Sequence, residues 1–467
     1  MKNGKLKQSI FSKRTFAKGC ISPGSIFVAC CILVIPVLFI ACEYKNKPGL
    51  NYPPMVSDTT GRPVITGMVP AGQASAGVRE IRIVGTNLGM SGTDTNWILF
   101  GGVRPIIKEI QDSYVTIYRP QLSTDHYGGK PSIVSVTNPK MAYAPSHTTY
   151  YVESPGAFVG SYPTATFASI VAAECDNQPQ ENLYTTTPTK FMYKTDFSGV
   201  TQINVLTPPI LIGSEFATIG AMSFGPGVRK QNLFIAAGKN YISRLYVADT
   251  ISASTNKITK LAVPTTVTQL DFDEKGNLYV GGYDAVSLSG KLYVADSSVG
   301  SSVPAFTPMT GYTGGANIIK IRVVKESGND YLYVADSLSI WKGQISGNSL
   351  TNPQVVVNLA GTALSACRIT SFALDEHSSI FLCLKNSPNY SLFIKENDGS
   401  VTPFYQDSTI LPNTVDKLMW GNSNFLYLIS SSLTGSNASN KIYRLTLDYS
   451  DGTPRKGAPY YGRTFIR

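Results

Sequence analysis

Residues able to carry out acid–base or metal chemistry are few in this sequence, and they form no catalytic pattern. Only three histidines occur in 467 residues, His126, His147 and His377. No G-x-S-x-G or H-E-x-x-H segment is present, and Cys and His lack the close spacing of a zinc site. His377 stands in the turn segment DEHSS, which predicts a solvated loop residue. The sequence therefore favours a protein that is not an enzyme and has no resident cofactor.

Aspartates form a second candidate set, because three copies of LYVAD end in Asp249, Asp296 and Asp336. Carboxylates that converge from equivalent strand ends would supply oxygen ligands for a cation. The copies occupy different strands of the repeat described below, however, Asp336 the first and the other two the second. We therefore predict that each aspartate caps its own turn through backbone N–H groups, and we predict no metal site.

Aromatic residues form a third candidate set, because exposed rings stack on sugars or contact protein partners at concave sites. The candidates for ligand contact are Trp341, Trp420 and the adjacent pair Tyr460 and Tyr461. The alternative for each is burial in the core, which is the usual place of aromatic residues that recur in strands.

The elements that must position these residues are short strands, and residues 157–467 repeat them. An apolar-aromatic strand recurs at intervals of 45 to 54 residues, with its aromatic residue at Tyr184, Phe234, Tyr279, Tyr333, Phe381 and Tyr427. Three to four strands per unit at this spacing are typical of propeller blades. The LYVAD segments resemble the NHL family and related six-bladed propellers. That resemblance implies a six-bladed β-propeller but no activity, because these folds include binding modules, lyases and lactonases.

A smaller all-β domain is predicted over residues 63–153. Its short strands EIRIVG, NWILFGG, YVTIYRP and PSIVSVTNP are separated by turn residues, which indicates a β-sandwich. The order of PVITGMVP, GTNLG and ILFGGV resembles the IPT/TIG branch of the immunoglobulin-like folds. The resemblance implies a spacer or contact module without catalytic residues. The strand that closes the propeller is either AFVGSY, after this domain, or the terminal YYGRTFIR.

The N-terminal segment predicts export. Residues 1–41 carry six basic residues and no acid, and the apolar run IFVACCILVIPVLFIA ends at Ala41. The segment FIAC resembles a bacterial lipobox, which implies that 1–41 is a signal peptide and that Cys42 becomes the lipidated N-terminus. An uncleaved membrane anchor is the alternative. Residues 42–62 are polar and Pro-rich, as expected of a tether.

Composition and net charge limit the classes of partner that the sequence predicts. Without residues 1–41 the net charge of +10 falls to +4, too little to indicate nucleic-acid binding. Charged residues make up 15% of the chain, against about 25% in average domains, and turn formers abound. Of the remaining cysteines, Cys367 and Cys383 are predicted to be buried apolar residues, with a disulfide between them as the alternative.

These features together predict an exported lipoprotein at the outer membrane or cell surface. It would hold to the membrane by its lipid and would bind a glycan, a protein or another envelope component through a rigid propeller surface. Two other functions stay open: a propeller lactonase or lyase with a central divalent metal, and a purely structural envelope scaffold.

Overall fold

All regular structure in the described part of the chain is β-strand, as predicted. The computed structural model describes residues 62–89, 97–122, 130–137, 146–154, 156–161, 170–176, 181–186, 192–199, 201–203, 218–226, 232–239, 242–249, 261–263, 265–284, 286–297, 305–315, 317–390, 392–408, 410–411, 415–421, 425–430, 441–449 and 453–458. No helix that could cross a bilayer is found in these ranges. The predicted signal peptide 1–41, Cys42 and the tether up to Gly61 lie outside the described residues.

The first eight strands form two four-stranded sheets, β1-β3-β6-β5 and β2-β8-β7-β4. Their bounds are β1 Val64–Val69, β2 Gln73–Ala74, β3 Glu80–Thr86, β4 Trp97–Phe100, β5 Ile107–Ile110, β6 Tyr114–Tyr118, β7 Ser132–Thr137 and β8 Ser146–Val152. Burial alternates along β3, where Ile81 and Ile83 are buried and Arg82 is exposed, because successive side chains point to opposite faces. Phe100 and Val134 meet them from the other sheet. The two sheets therefore share one core and form a β-sandwich.

Six further four-stranded antiparallel sheets, here called ring sheets 1 to 6, follow in the described residues. Ring sheet 1 contains β10 Ala172–Cys175, β11 Leu183–Thr186, β12 Met192–Thr195 and β13 Thr201–Ile203; ring sheet 2 contains β14 Thr218–Phe224, β15 Asn232–Lys239, β16 Ile242–Asp249 and β17 Leu261–Val263; ring sheet 3 contains β18 Thr266–Phe272, β19 Leu278–Tyr283, β20 Gly290–Ala295 and β21 Thr307–Pro308. Ring sheet 4 contains β22 Lys320–Glu326, β23 Asn329–Ala335, β24 Ser339–Ser346 and β25 Ser349–Asn358; ring sheet 5 contains β26 Arg368–Leu374, β27 Ile380–Lys385, β28 Leu392–Lys395 and β29 Val401–Pro403; ring sheet 6 contains β30 Lys417–Trp420, β31 Phe425–Ser430, β32 Lys441–Thr446 and β9 Gly156–Ser161.

The ring sheets succeed one another around an axis. The first strand of each lies against the first strand of the next, from β10 to β30, and β30 in turn contacts β10. This closed succession is the arrangement of a β-propeller. The closing strand is β9, which comes from the segment AFVGSY and pairs antiparallel with β32. The other candidate for closure, the terminal YYGRTFIR, lies outside the described residues.

The recurring aromatic residues hold adjacent ring sheets together. Each is buried on the second strand of its sheet, and three of them pack on an aromatic residue that ends the first strand of the next sheet. The ring centroids are 5.4 Å apart for Tyr184–Phe224, 4.8 Å for Phe234–Phe272 and 6.0 Å for Phe381–Trp420. One sheet alone cannot cover these rings, so the same apolar-aromatic pattern must recur in every unit.

Aspartates in the hairpins cap their own turns. Asp336 Oδ1 accepts hydrogen bonds from the backbone N–H groups of Leu338 and Ser339, at 2.8 and 2.7 Å, as predicted for the LYVAD aspartates. Asp273 caps the DFDEKGN hairpin in the same way, through both the backbone and the side-chain nitrogen of Asn277. Cys175, Cys367 and Cys383 are buried, and none of these three forms a disulfide within the described ranges, which confirms the prediction of burial for Cys367 and Cys383 against the disulfide alternative.

The sandwich is joined to the outer edge of ring sheet 5. Arg79, which precedes β3, donates to the Phe404 carbonyl oxygen at 2.8 Å and to Glu396 Oε1 at 2.7 Å, and its guanidinium lies over the Phe404 ring. Tyr405 donates a hydrogen bond to the carbonyl oxygen of Ala76. Beside this contact, Gly77 lies directly on the backbone of Asp448, with no room for a Cβ atom. Charged, aromatic and backbone contacts thus hold the sandwich in one orientation on the propeller.

Candidate ligand-binding site at the propeller axis

A narrow channel runs along the axis, and the first strands of all six ring sheets contribute to its wall. Residues that pair with the recurring aromatic positions lie at the same depth in the channel. Strand pairing therefore gives the depth of each lining residue. Glu174, Asp271 and Arg322 pair with Tyr184, Tyr279 and Tyr333 and therefore share a level, here called the carboxylate layer.

The carboxylate layer is a buried ion triad. The Arg322 guanidinium lies 3.3 Å from Glu174 Oε2 and 3.9 Å from Asp271 Oδ2. The three side chains are at most 6% exposed, so water screens their charges little. They come from ring sheets 1, 3 and 4, so one cation joins carboxylates from two other sheets across the axis. The triad thus ties the ring together in addition to setting the charge of the channel.

Asp271 is the most buried member of this triad. Burial raises the pKa of its carboxyl from 3.8 to about 6, although the Arg322 guanidinium and the Val323 backbone N–H, 2.7 Å from Oδ2, both favour the charged form. The nearby Glu174 carboxylate raises the pKa of Asp271 further. The charge of the carboxylate layer is therefore sensitive to pH just below neutrality.

A second level, here called the lysine layer, lies two residues earlier on each first strand. It contains Gln269, Lys320, Ser371 and Lys417. The Lys320 ammonium donates to Ser371 Oγ at 2.9 Å and to the Leu418 carbonyl oxygen, which joins ring sheets 4, 5 and 6. This level carries two cations and no carboxylate, so it attracts negative charge.

Lys417 differs from Lys320 in its surroundings. No hydrogen bond or ion pair of its ammonium is seen in the described part of the chain, where it lines the channel wall. Burial lowers the pKa of Lys417, an effect that the nearby Asp416 and Cys383 oppose. A half-buried ammonium without an acceptor costs free energy unless a ligand or water supplies one.

The axis does not fit the divalent metal that a propeller lactonase or lyase would require. The residues described here include no group of three or more His, Cys, Asp or Glu side chains placed to hold a metal ion. The two axial carboxylates are bridged by Arg322, whose guanidinium stands where a cation would bind, and the next level carries lysines. These positively charged side chains would therefore repel a divalent metal ion at the axis.

The aromatic residues predicted as ligand contacts lie in different environments. Trp420 is fully buried between ring sheets 5 and 6, so its prediction as a ligand contact is wrong. The reason is its position at the end of a first strand, where Phe224 and Phe272 serve the core of other sheets. Trp341 is half-buried against Tyr312, with ring centroids 6.1 Å apart, and is not at the axis. Tyr460 and Tyr461 lie outside the described residues.

His377 is an exposed turn residue, as predicted, and it also contacts the chain that follows β32. Its ring packs on Tyr449 with Nδ1 2.5 Å from the hydroxyl oxygen, and its backbone N–H donates to Asp375. Arg455 donates to Asp375 Oδ2 at 2.8 Å and covers the Tyr449 ring. This cluster fixes the chain after β32 on the hairpin of ring sheet 5.

Sequence reasoning missed the axial residues, although one signal for them is visible. The segment IIKIRVV places Lys320 and Arg322 inside an otherwise apolar strand, and LDF places Asp271 in another. A charge in a strand that is buried on both faces requires a partner, and the partners lie on other ring sheets.

Comparison with known proteins supports the fold only. No family model and no curated protein matches this chain. Among solved structures, a candidate phosphatase from Bacteroides thetaiotaomicron aligns with a TM-score of 0.50 at 12% identity, over 81% of this chain and 96% of its own. An auxiliary nutrient binding protein from the same species aligns with a TM-score of 0.46 at 14% identity, over 82% and 97%. The β-propeller domain of Swd1 from Myceliophteria thermophila aligns with a TM-score of 0.42 at 10% identity, over 62% and 100%.

Proposed function

We propose that this protein is a non-catalytic binding protein of the bacterial envelope, anchored by a lipid on Cys42. The six ring sheets are the six blades of an NHL-like propeller over residues 157–467. The sandwich, residues 63–153, is an IPT/TIG-type immunoglobulin-like module that carries the propeller. The ligand is a glycan, a protein or another envelope component, held at a preformed surface that includes the mouth of the axial channel.

The axial channel is the observation that carries this proposal. Its polar side chains come from five of the six ring sheets, and Glu174, Arg322, Lys320 and Ser371 are held by partners on other sheets, so most of the surface exists before a ligand arrives. The axial carboxylates and Ser371 are already bonded: Glu174 and Asp271 to Arg322, and Ser371 to Lys320 and the Leu418 backbone. A general acid–base mechanism needs a free group within reach of substrate. Groups with these partners support recognition rather than bond cleavage.

The joint between the sandwich and the propeller supports a display role. Arg79 contacts Glu396 and Phe404 on ring sheet 5, and Gln121 N–H donates to Asp407 Oδ2 at 2.9 Å. A rigid joint keeps the propeller in one orientation relative to the sandwich. Such geometry suits a module that presents a binding surface to the medium.

Metal analysis tests the non-catalytic assignment. We expect full-length protein, purified in detergent and dialysed, to contain well under one equivalent of calcium or zinc by elemental analysis. The reason is that Lys320, Arg322 and Lys417 oppose a divalent ion at the axis. One tightly bound equivalent, together with hydrolysis of a lactone panel, would instead establish the metal-dependent enzyme. A metal-free protein that copurifies with envelope proteins and binds no glycan would favour the scaffold function.

Membrane fractionation tests the anchor. We expect the chain to sediment with membranes and to incorporate labelled palmitate, and we expect Cys42→Ser to lose the label, because a lipobox cysteine carries the acyl chains. Cys31→Ser, in the same apolar run, is the matched control and should keep both properties. A labelled Cys42→Ser protein would contradict lipidation at this residue. Unlabelled wild-type chain that stays in membranes would indicate the uncleaved anchor.

A further inference from the structure

We propose that the lysine layer binds the carboxylate group of a small organic acid or of an acidic sugar. This inference rests on the proposed binding function and specifies the chemistry of its ligand. The first step is the local charge: Lys320 and Lys417 lie at one level of the channel with Gln269, and no carboxylate shares that level. Two ammonium groups and an amide can all donate hydrogen bonds to carboxylate oxygens.

The second step is the unused donor capacity at this level. Lys320 is held in place by Ser371 and the Leu418 carbonyl oxygen, so its charge is preorganised. Lys417 has no acceptor among the described residues, and burial lowers the pKa of its ammonium. An anion that accepts from Lys417 would restore the hydrogen bonds that the ammonium lost on leaving bulk water. The lysine layer therefore has a fixed cation and an unsatisfied one on the wall of the same channel.

The third step is the net charge, which favours a singly charged ligand. The lysine layer and the carboxylate layer together carry Lys320, Arg322 and Lys417 against Glu174 and Asp271, a net charge of +1. The carboxylate layer lies about 7 Å from the lysine layer, since two strand residues separate them. A doubly charged phosphate would leave the channel with a net negative charge, and it would cost more free energy to remove from water than a carboxylate, because the solvation energy of an ion grows with the square of its charge.

Calorimetric titration of full-length protein in low-salt buffer tests this inference with probes matched in shape. We expect glucuronate to bind at pH 7.5 and glucuronamide, its neutral analogue, to bind at least about ten-fold more weakly, since hydrogen bonds to charged groups contribute this much. Acetate binding would identify a small acid as sufficient, whereas binding of glucuronate alone would identify an acidic sugar. Inorganic phosphate should bind more weakly than either carboxylate that binds.

Variants locate the site. Lys417→Met should weaken glucuronate binding at least about ten-fold, while its melting temperature stays equal or rises, because a half-buried ammonium is replaced by an apolar chain of similar length. Lys325→Met is the matched control, because Lys325 is exposed and pairs with Glu274 outside the channel. Its affinity should stay within about two-fold of wild type, since surface charges contribute little.

The pH dependence of glucuronate binding gives a separate test. Asp271 faces the Arg322 guanidinium, the Glu174 carboxylate and the backbone N–H groups of Val323 and Phe272. Its carboxyl gains a proton as pH falls through about 6, which raises the net charge of the channel from +1 to +2. Glucuronate affinity should therefore rise between pH 7.5 and pH 5.5, and Asp271→Asn should bind at pH 7.5 as wild type does at pH 5.5.

Several results would overturn the inference: no binding of either acid, equal binding of glucuronamide, tighter binding of phosphate, or unchanged affinity in Lys417→Met. These failures are distinct from failure of the proposed function. A metal-free protein that binds a neutral glycan would keep the binding function and reject the carboxylate ligand. A bound metal ion with lactone hydrolysis would reject the binding function itself.

Discussion

Arg322→Met is expected to lower the free energy of unfolding by about 3–5 kcal/mol at pH 7.5, the largest effect of any axial substitution. Arg322 is the cation between Glu174 and Asp271, and none of the three is more than 6% exposed. Methionine keeps much of the side-chain volume but leaves two buried carboxylates facing each other without a counter-charge. Denaturant unfolding of the full-length chain, followed by tryptophan fluorescence, measures the loss.

The sign of the pH dependence follows from the raised pKa of Asp271. A carboxyl whose pKa is about 6 in the folded protein, above 3.8 in the unfolded chain, binds its proton more tightly when folded. Its contribution to stability is therefore greatest below pH 4 and declines as pH rises through 6. Without Arg322 the carboxyl gains its proton more readily still, so the deficit of Arg322→Met should be smaller at pH 5 than at pH 7.5.

Two comparisons make this result specific to the triad. Lys325→Met removes an exposed ion pair with Glu274 and should cost at most about 1 kcal/mol. The triple variant Glu174→Gln, Asp271→Asn, Arg322→Met removes every charge of the triad and should recover much of the lost stability. A loss below about 1 kcal/mol in Arg322→Met alone would show that the three side chains are not a buried ion triad.

Gly77→Ala is expected to destabilise the protein by about 3 kcal/mol, at the upper end of the usual range for overpacking. A Cβ atom on Gly77 would lie 1.5 Å from the Asp448 carbonyl oxygen and 2.3 Å from its nitrogen. Both are backbone atoms that cannot rotate away, so the sandwich must move off the propeller. That movement would pull Ala76 from Tyr405 and Arg79 from Glu396.

Calorimetric unfolding and limited proteolysis measure this effect. We expect Gly77→Ala to unfold at lower temperature and to be cleaved between the sandwich and the propeller, where wild type resists. Gly67→Ala is the matched control: the added methyl group meets nothing within 4 Å, so its stability should change by less than about 1 kcal/mol. Equal melting temperatures for Gly77→Ala and wild type would disprove the close contact with Asp448.

Local patterns in the sequence were sufficient to predict the strands and the propeller. Each ring sheet needs an apolar strand, a tight hairpin and an aromatic residue that covers the next sheet, so residues such as Tyr279 and Phe381 recur at regular intervals. Asp336 and Asp273 were predictable as turn caps because the cap and its N–H donors lie within four residues of each other. Interactions between residues this close in the chain can be predicted from the local sequence.

Trp420 shows where these patterns become ambiguous. A tryptophan at the end of a strand is compatible with both a ligand contact and a core position. The local sequence does not show which other sheet packs against it. The structure places Phe381 of the preceding sheet on its ring, which buries it completely. Closure of the ring by AFVGSY is a similar case, because β9 pairs with a strand about 280 residues later in the chain.

The all-β class, the repeat, the turn chemistry and the basic, apolar N-terminus can be read from local sequence, since each depends on residues close together in the chain. Which charges meet at the axis depends instead on how the strands pack in three dimensions. Glu174 and Arg322 are 148 positions apart, and Lys320 donates to the Leu418 carbonyl 98 positions away. Strand periodicity specifies the face on which a side chain lies, but its neighbours across the channel depend on the order and level of the strands around the ring. The charge of the candidate site is therefore a property of the closed propeller and of no single segment of the chain.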